Sequence, residues 1–411
     1  MIGVGAMSQG GAGRPLVVIC QHRLLHYRLP LFNKLRQACV LRSIDLRLVH
    51  GQASPRERIK NDEGQLDWAD VVINQWLAVG PVDLLWQPLP QALRRADLIV
   101  LMQENRILSN YWVWLTSWRR HTRLAFWGHG RNFQSAAPKG LRERWKAWWL
   151  LRADWWFTYT QSTRRYIAGQ GFDIDLITAL DNAIDDSGFR RDLSAVTDAQ
   201  LQAARANLGI GAGAQVAIFC GSLYAEKRIA LLLSSADLLR ARLPDFHLLV
   251  LGDGPDAGLV KAALPDRPWL HVRGIRTGRE KALDYRLASV VLNPGAVGLH
   301  IVDSFAAGTP LVTQASALHG PEYEYLVSGE NGLSVADDSA AAYADAVAGI
   351  LVQPGLLATM QAHCARDAGR YTLDRMVQNF ANGIAACLVR SGRLPASATA
   401  ATGPQLTVKP D

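Results

Sequence analysis

Apolar residues along this chain fall into short runs that alternate with stretches of helical spacing, which predicts parallel strands covered by helices. A buried strand reads at Pro15 to Cys20, followed by a helix-like stretch from Arg28 to Cys39 with Leu31, Leu35 and Ala38 on one face. Further strands read at Asp45 to Val49, Leu98 to Met102, Leu124 to Trp127 and Trp156 to Tyr159. The pattern breaks at Asn182-Ala183-Ile184-Asp185, a polar connection, and restarts at Gln215 to Cys220. A helix through Ile229 to Arg242 follows, then FHLLVLGDG, WLHVRG, SVVLNPG and a helix from about His300 to Ala307. Strands, Gly-rich turns and helices at this spacing form a Rossmann-like unit.

The expected division is a tail at 1–14, an N-terminal Rossmann-like unit at 15–181, a second unit at 182–370, and a closing amphipathic helix at 371–390. That helix carries Leu373, Met376, Phe380, Ile384 and Cys387 on one face. Residues 391–411, rich in Ala, Ser, Thr, Pro and Gly, are expected to be unstructured. A length of 411 residues fits two cores better than one.

Composition adds three constraints. Five well-separated cysteines without a CxxC spacing argue against a disulfide framework or structural zinc, and with no export signal they suggest a reducing cytoplasm. No apolar run is long enough to cross a bilayer. Charge is uneven: residues 1–180 hold 24 Lys+Arg against 13 Asp+Glu, a balance of +11, whereas the remainder hold 20 against 23, a balance of -3. A basic half suits an anionic surface or a phosphorylated substrate. Nucleic acid ranks last as a partner because no recognition motif accompanies the charge.

Ligands of open parallel sheets sit beyond the carboxyl ends of the strands, so the turns of the second unit are where chemistry is expected. Gly221-Ser222-Leu223-Tyr224-Ala225-Glu226-Lys227-Arg228 brings a lysine to a helix start, where it reaches a phosphate or is simply solvated. Gly252-Asp253-Gly254-Pro255 permits close backbone approach to a ligand, or is a plain tight turn. Asn293 to His300 leads into a helix carrying Asp303; its N-H groups suit a diphosphate and its carboxylate suits ribose hydroxyls, or else serves the helix dipole.

Taken together, Gly221-x-Leu223-x-x-Glu226-Lys227, Gly252-Asp253-Gly254-Pro255, Gly298-Leu299-x-x-x-Asp303-x-x-Ala306-x-Gly308-x-Pro310 and Gly329-Glu330-Asn331-Gly332 resemble, in order and spacing, the donor domain of retaining glycosyltransferases of family 4. The similarity spans about Asn182 to Val335 and extends only loosely into the first half. It implies a GT-B fold, two Rossmann-like domains facing a cleft with a final helix crossing back. It implies transfer from a UDP- or GDP-type nucleotide sugar, with no metal and no further cofactor. Lys227 would neutralise the departing diphosphate with Arg228 as helper, and Asp303 would take the ribose. Gly221, Ser222, Gly252, Gly254, Gly298, Leu299 and His300 would line the donor.

Two departures stand out. The family usually has arginine at Ser222 and glutamates at Gly295 and Asp303, so the first acid is missing and the second is shortened. Glu322 and Glu324 are candidate substitutes, or members of a solvated loop. In the first half, Phe126-Trp127-Gly128-His129-Gly130-Arg131 resembles the turn whose histidine lines the donor-sugar pocket, making His129 a candidate beside a structural reading. His22, His26 and Arg28 are weaker candidates for the acceptor side.

Nine of the 13 tryptophans fall between Trp112 and Trp156, among Arg119, Arg120, Arg123, Arg142, Arg144, Lys146 and Arg152. Leu141, Trp145, Trp148 and Trp149 share one helical face. Aromatic and basic residues so mixed suit an anionic headgroup layer, although several must belong to the core. The expectation is an enzyme on the inner face of the cell membrane, acting on a lipid-linked or polysaccharide acceptor. A catalytically inactive nucleotide-sugar-binding partner subunit is the alternative.

Overall fold

The computed structural model describes residues 13–58, 62–80, 82–117, 121–130 and 141–399. The proposed 1–14 tail falls largely outside them, as do Arg119, Arg120, Arg131 and most of the 391–411 tail; the side chains of Arg142, Arg144 and Lys146 are also outside.

The strands are β1 (Leu16–Gln21), β2 (Asp45–His50), β3 (Asp70–Val71), β4 (Gln75–Val79), β5 (Val82–Trp86), β6 (Leu98–Met102), β7 (Arg123–Gly128), β8 (Trp155–Thr158) and β9 (Ile177–Ala179) in the first half. The second half has β10 (Gln215–Cys220), β11 (Phe246–Leu251), β12 (Leu270–Gly274), β13 (Val290–Leu292), β14 (Leu311–Gln314) and β15 (Gly332–Val335). They form a seven-stranded sheet of order β3-β2-β1-β6-β7-β8-β9 and a six-stranded sheet of order β12-β11-β10-β13-β14-β15, besides the antiparallel hairpin β4-β5. Both large sheets are parallel throughout, with Cys20 opposite Val49 and Leu101, and Ile218 opposite Leu249 and Val291. The central strands are apolar on both faces because helices cover both, which is why LVVICQ and QVAIFC read as continuous runs. This is the GT-B architecture expected from the sequence.

The last helix, Leu373–Arg390, returns to the first half. Met376, Phe380, Ile384 and Leu388 join the core of Val17, Ile19, Phe32, Trp127 and Phe157. Thr372 caps its start by accepting from the Arg375 N-H at 3.2 Å. Gly383 is obligatory there, since a Cβ would lie 2.5 Å from Thr178 Oγ1 and 2.6 Å from Phe157.

Two polar links tie the halves across the cleft floor. Glu324 accepts from the Ser162 N-H with both carboxylate oxygens, at 2.9 and 2.8 Å, at the start of the helix Gln161–Gly169. A carboxylate there satisfies an orphan donor and complements the helix dipole. The second link runs from the buried Arg28, whose guanidinium donates to Asn182 Oδ1 at 3.1 Å, through the Asn182 amide to the buried Glu322 carboxylate. Glu324→Ala should therefore lower the thermal midpoint, removing about 1–2 kcal/mol of charge-assisted bonding, with Glu324→Gln intermediate. Calorimetry of the three proteins checks this; equal midpoints would exclude the link.

Candidate active site

A cavity of about 580 Å³ opens at the carboxyl ends of β10 and β13, walled by Gly221, Ser222, Tyr224, Lys227, residues 296–300 and residues 318–321, with His129 from the opposite half. Three glycines behind the lining let the turns that carry it stack. A Cβ on Gly252 would lie 1.9 Å from the Gly221 carbonyl, one on Gly254 2.3 Å from that of Leu223, and one on Gly295 2.2 Å from that of Glu226. The turns are joined by Leu223 N-H to Asp253 O at 2.9 Å and Ala296 N-H to Glu226 O at 2.8 Å. Gly252 and Gly254 are thus absent from the cavity wall, contrary to expectation; they bring backbone to backbone rather than backbone to ligand.

Lys227 closes a 3-10 turn, Ala225–Lys227, after which Arg228 adopts the left-handed conformation with φ 57°. That reversal turns the lysine inward. Its ammonium donates to the Ala296 carbonyl and lies 6.0 Å from the Tyr224 ring centroid. Burial brings its pKa down to about 8. Among the described residues no carboxylate pairs with it, so the cavity holds an uncompensated cation at neutral pH.

The three cavity histidines are held neutral. Burial, then the charge of Arg28, takes His129 down to about 4; its ring packs on Tyr159 at 4.3 Å. His300 lies well below its ordinary value through burial and the charges of Lys227 and Lys281. The Asn293 amide nitrogen, 3.1 Å from the Ala296 carbonyl, is also 3.1 Å from His300 Nε2. Since that nitrogen donates, Nε2 accepts and His300 carries its proton on Nδ1. His319, half-buried beside the same loop, is likewise lowered.

The remaining expected residues lie elsewhere. Arg228 pairs with Asp338 at 2.6 Å and reaches Ser316 at 3.2 Å, so it is no neighbour of Lys227's ammonium in the cavity. Asp303, in the first turn of the helix His300–Ala306, is buried behind the wall against the Lys281 ammonium at 2.8 Å. Burial raises its pKa and Lys281 opposes that rise. The helix has only seven residues, and its Ile301 and Val302 N-H groups are taken by Gly298 and Leu299 carbonyls. The expected dipole site is therefore weaker than the sequence suggested. Glu322 and Glu324 do not replace the missing acid at Gly295; both serve the links between the halves. Arg28 belongs to the same linkage, its guanidinium centre 5.1 Å from the Trp127 ring centroid and 5.5 Å from that of Tyr159. His22 sits in a separate cluster in the first half, 3.5 Å from Glu57 and 3.7 Å from Glu104, with Arg106 between those acids. His26 is exposed, its Nδ1 3.2 Å from the Asp62 carbonyl.

Sequence reasoning did not assign Tyr224, Lys281, Asn293, Leu318 or His319. Tyr224 and Asn293 lie inside stretches already quoted and were legible by position; His319 lies three residues before Glu322, and Lys281 lies in a helix with no motif.

Geometry thus defines a GT-B protein whose second half presents a cavity with a lysine in its wall to the cleft. Residues 214–353 match the glycosyl transferases group 1 family. The chain is 29% identical over 209 residues to a D-inositol 3-phosphate glycosyltransferase of Mycobacteroides abscessus, covering 47% of this chain and 45% of that protein. It is 31% identical over 175 residues to the enzyme of the same name from an Arthrobacter species, covering 40% of each. It thus spans less than half the length of the curated relatives it matches. Among solved structures, Anabaena HepE in complex with UDP superposes with a TM-score of 0.62 at 15% identity, covering 90% of this chain and 100% of that one. A glycosyltransferase from Rickettsia africae gives 0.65 at 11% identity, covering 91% and 99%. These likenesses establish the fold.

Gly295→Glu, which restores the family's acid, should destabilise the protein by about 1–3 kcal/mol through overpacking against the 226–227 turn. A thermal midpoint equal to that of the unmodified protein would contradict the close approach.

Proposed function

We propose that the chain is a retaining glycosyltransferase moving a sugar from a UDP- or GDP-sugar to a lipid-linked or glycan acceptor in envelope or exopolysaccharide assembly. The observation that carries it is the buried Lys227 ammonium, without a carboxylate partner among the described residues, at the mouth of the second Rossmann-like unit. Cleaving the bond between sugar and diphosphate develops negative charge on phosphate oxygens while the sugar becomes oxocarbenium-like. A fixed cation in a desolvated cavity favours that transition state over the ground state. His129, neutral and on the opposite wall, is suited to hydrogen-bond a sugar hydroxyl. Asp303, paired with Lys281 behind the wall, would reach ribose hydroxyls only if that pair rearranged on donor binding.

The acceptor side rests on the first half's surface. Trp112 and Trp145 are each 49% exposed and Leu115 is 56% exposed on the helices Leu108–Ser117 and Leu141–Leu150. Leu77 and Val79 are exposed on the neighbouring hairpin. Trp127, Trp149, Trp155 and Trp156, by contrast, are core, so the aromatic face is narrower than the sequence pattern suggested. With the +11 balance of residues 1–180, this surface supports contact with an anionic bilayer at the cytoplasmic face.

Ser222 and Gly295 favour one competing reading, a nucleotide-sugar-binding subunit without turnover. Screening UDP- and GDP-sugars by thermal shift, then assaying hydrolysis and transfer with the stabilising donor, separates the two. Lys227→Met should lower kcat/KM by about 100-fold or more. Because the lysine acts as the ammonium and its pKa in the free protein is about 8, kcat/KM should be full well below pH 8, halved near it and lower above it. A flat profile to pH 10 would remove Lys227 from the reaction. Trp112→Ser combined with Trp145→Ser should weaken sedimentation with phosphatidylglycerol vesicles at least about threefold while leaving donor binding unchanged; undiminished sedimentation would place any membrane contact elsewhere.

A further inference from the structure

We propose that His319 is a positioning residue: as a neutral imidazole protonated on Nε2, it pins the turn 318–321 to the loop 296–298 and fixes the width of the cavity. Its meaning for the donor rests on the function proposed above. The geometry itself does not. The Val297 N-H points to His319 Nδ1 at 3.1 Å, and an amide N-H only donates, so Nδ1 must hold a lone pair. His319 Nε2 lies 2.9 Å from the Gln314 carbonyl, which only accepts, so Nε2 must hold the proton. One protonation state and one tautomer satisfy both contacts.

The ring is fixed in its plane as well. It stacks on Tyr323 at 3.8 Å with an interplanar angle of 7°, and the Tyr323 hydroxyl is 2.6 Å from Ser334 Oγ. Val297 is gripped on both sides, because its carbonyl accepts from the Gly320 N-H at 2.7 Å. The neighbouring carbonyl, of Ala296, is the one that holds the Lys227 ammonium. His319 therefore acts on the cation through two residues of backbone, and both segments it joins line the cavity.

Protonating His319 would set an N-H against the Val297 N-H and open this tie. The charged and titratable groups around it are Lys227 and Arg228 on the turn after β10, His300 on the facing helix, Glu322 and Tyr323 on its own turn, and Asp338 beyond β15. Burial first, and the Lys227 charge after it, hold the imidazole below its ordinary value, with the Gln314 contact acting in the other direction. The sign follows: the tie is fully formed above about pH 6.5, the ordinary histidine value, and is lost as pH falls below it.

The test compares the unmodified protein with His319→Ala and His319→Asn. Asparagine places an oxygen where Nδ1 stood, keeps an acceptor for Val297 and does not titrate. Hydrogen exchange of the 296–298 amides in the unliganded proteins, corrected for intrinsic rates, should be faster in H319A at pH 7.5. On acidification to pH 5 it should quicken in the unmodified protein and not in H319N. Titration with UDP and GDP should show H319A binding about fivefold more weakly at pH 7.5 and H319N within about twofold. Unchanged exchange in H319A, or an acid-induced loosening equally large in H319N, would overturn the assignment. Failure of the unmodified protein to bind either nucleotide would count against the proposed donor site and leave the exchange result to decide the role of His319.

Discussion

The cleft is organised around one buried ammonium held by a backbone carbonyl. Lys227 has the Ala296 oxygen and the ring of Tyr224 for company, and its pKa of about 8 reflects how poorly that environment replaces water. An ammonium in such a place is costly in the free protein and gains most from an anion that enters beside it. The arrangement is prepared before the ligand arrives, which is the condition under which a fixed charge favours a transition state without reorganising. It depends in turn on Gly295 and the αL backbone of Arg228, which together let the 226–227 turn come under the 296–298 loop.

The rest of the cavity is neutral by construction. His129, His300 and His319 are each half-buried near a fixed cation, Arg28 or Lys227, and each is pushed toward the uncharged form. Two of them have their tautomers set by their partners: the Asn293 amide nitrogen, oriented by the Ala296 carbonyl, for His300, and the one-directional Val297 N-H and Gln314 carbonyl for His319. A wall of neutral donors and acceptors around one cation gives orientation without competing for the charge. Glu324 and the Arg28-Asn182-Glu322 chain, outside the cavity, hold the two halves at the floor of the cleft.

Much of this was legible in the sequence because it is local. Buried parallel strands announce themselves as apolar runs, and Gln215–Cys220 and Ile229–Arg242 begin and end where their patterns do. The crossover helix was legible from its apolar face. The hairpin β4-β5 was not, since an exposed ribbon such as Gln75–Val79 lacks an alternating buried face. Side-chain partners far apart in sequence were illegible for a different reason. Nothing near Glu324 indicates Ser162, 162 positions away, and nothing near Arg228 indicates Asp338, 110 positions away. The glycines of Gly252-Asp253-Gly254 were recognised as permitting close approach, but only the fold shows that the approaching group is another turn.

The departures from the family at Gly295 and Asp303 also belong to the packing. At Gly295 a side chain has no space because the Glu226 carbonyl and Lys227 backbone occupy it, so the absent glutamate and the position of the cation are one structural fact. At Asp303 the shorter acid is met by Lys281, whose ammonium rests 4.6 Å from the Phe189 ring centroid and so has its own fixed seat. Ser222, too short to supply the missing arginine's charge, leaves Lys227 as the cation of the wall itself. With Lys227 the one cation of the wall among the described residues and no acid at position 295, the proposed donor sugar would be recognised through neutral groups. That places the burden of selectivity on the histidines and on the backbone of the 296–298 and 318–321 segments, whose spacing the His319 tie sets.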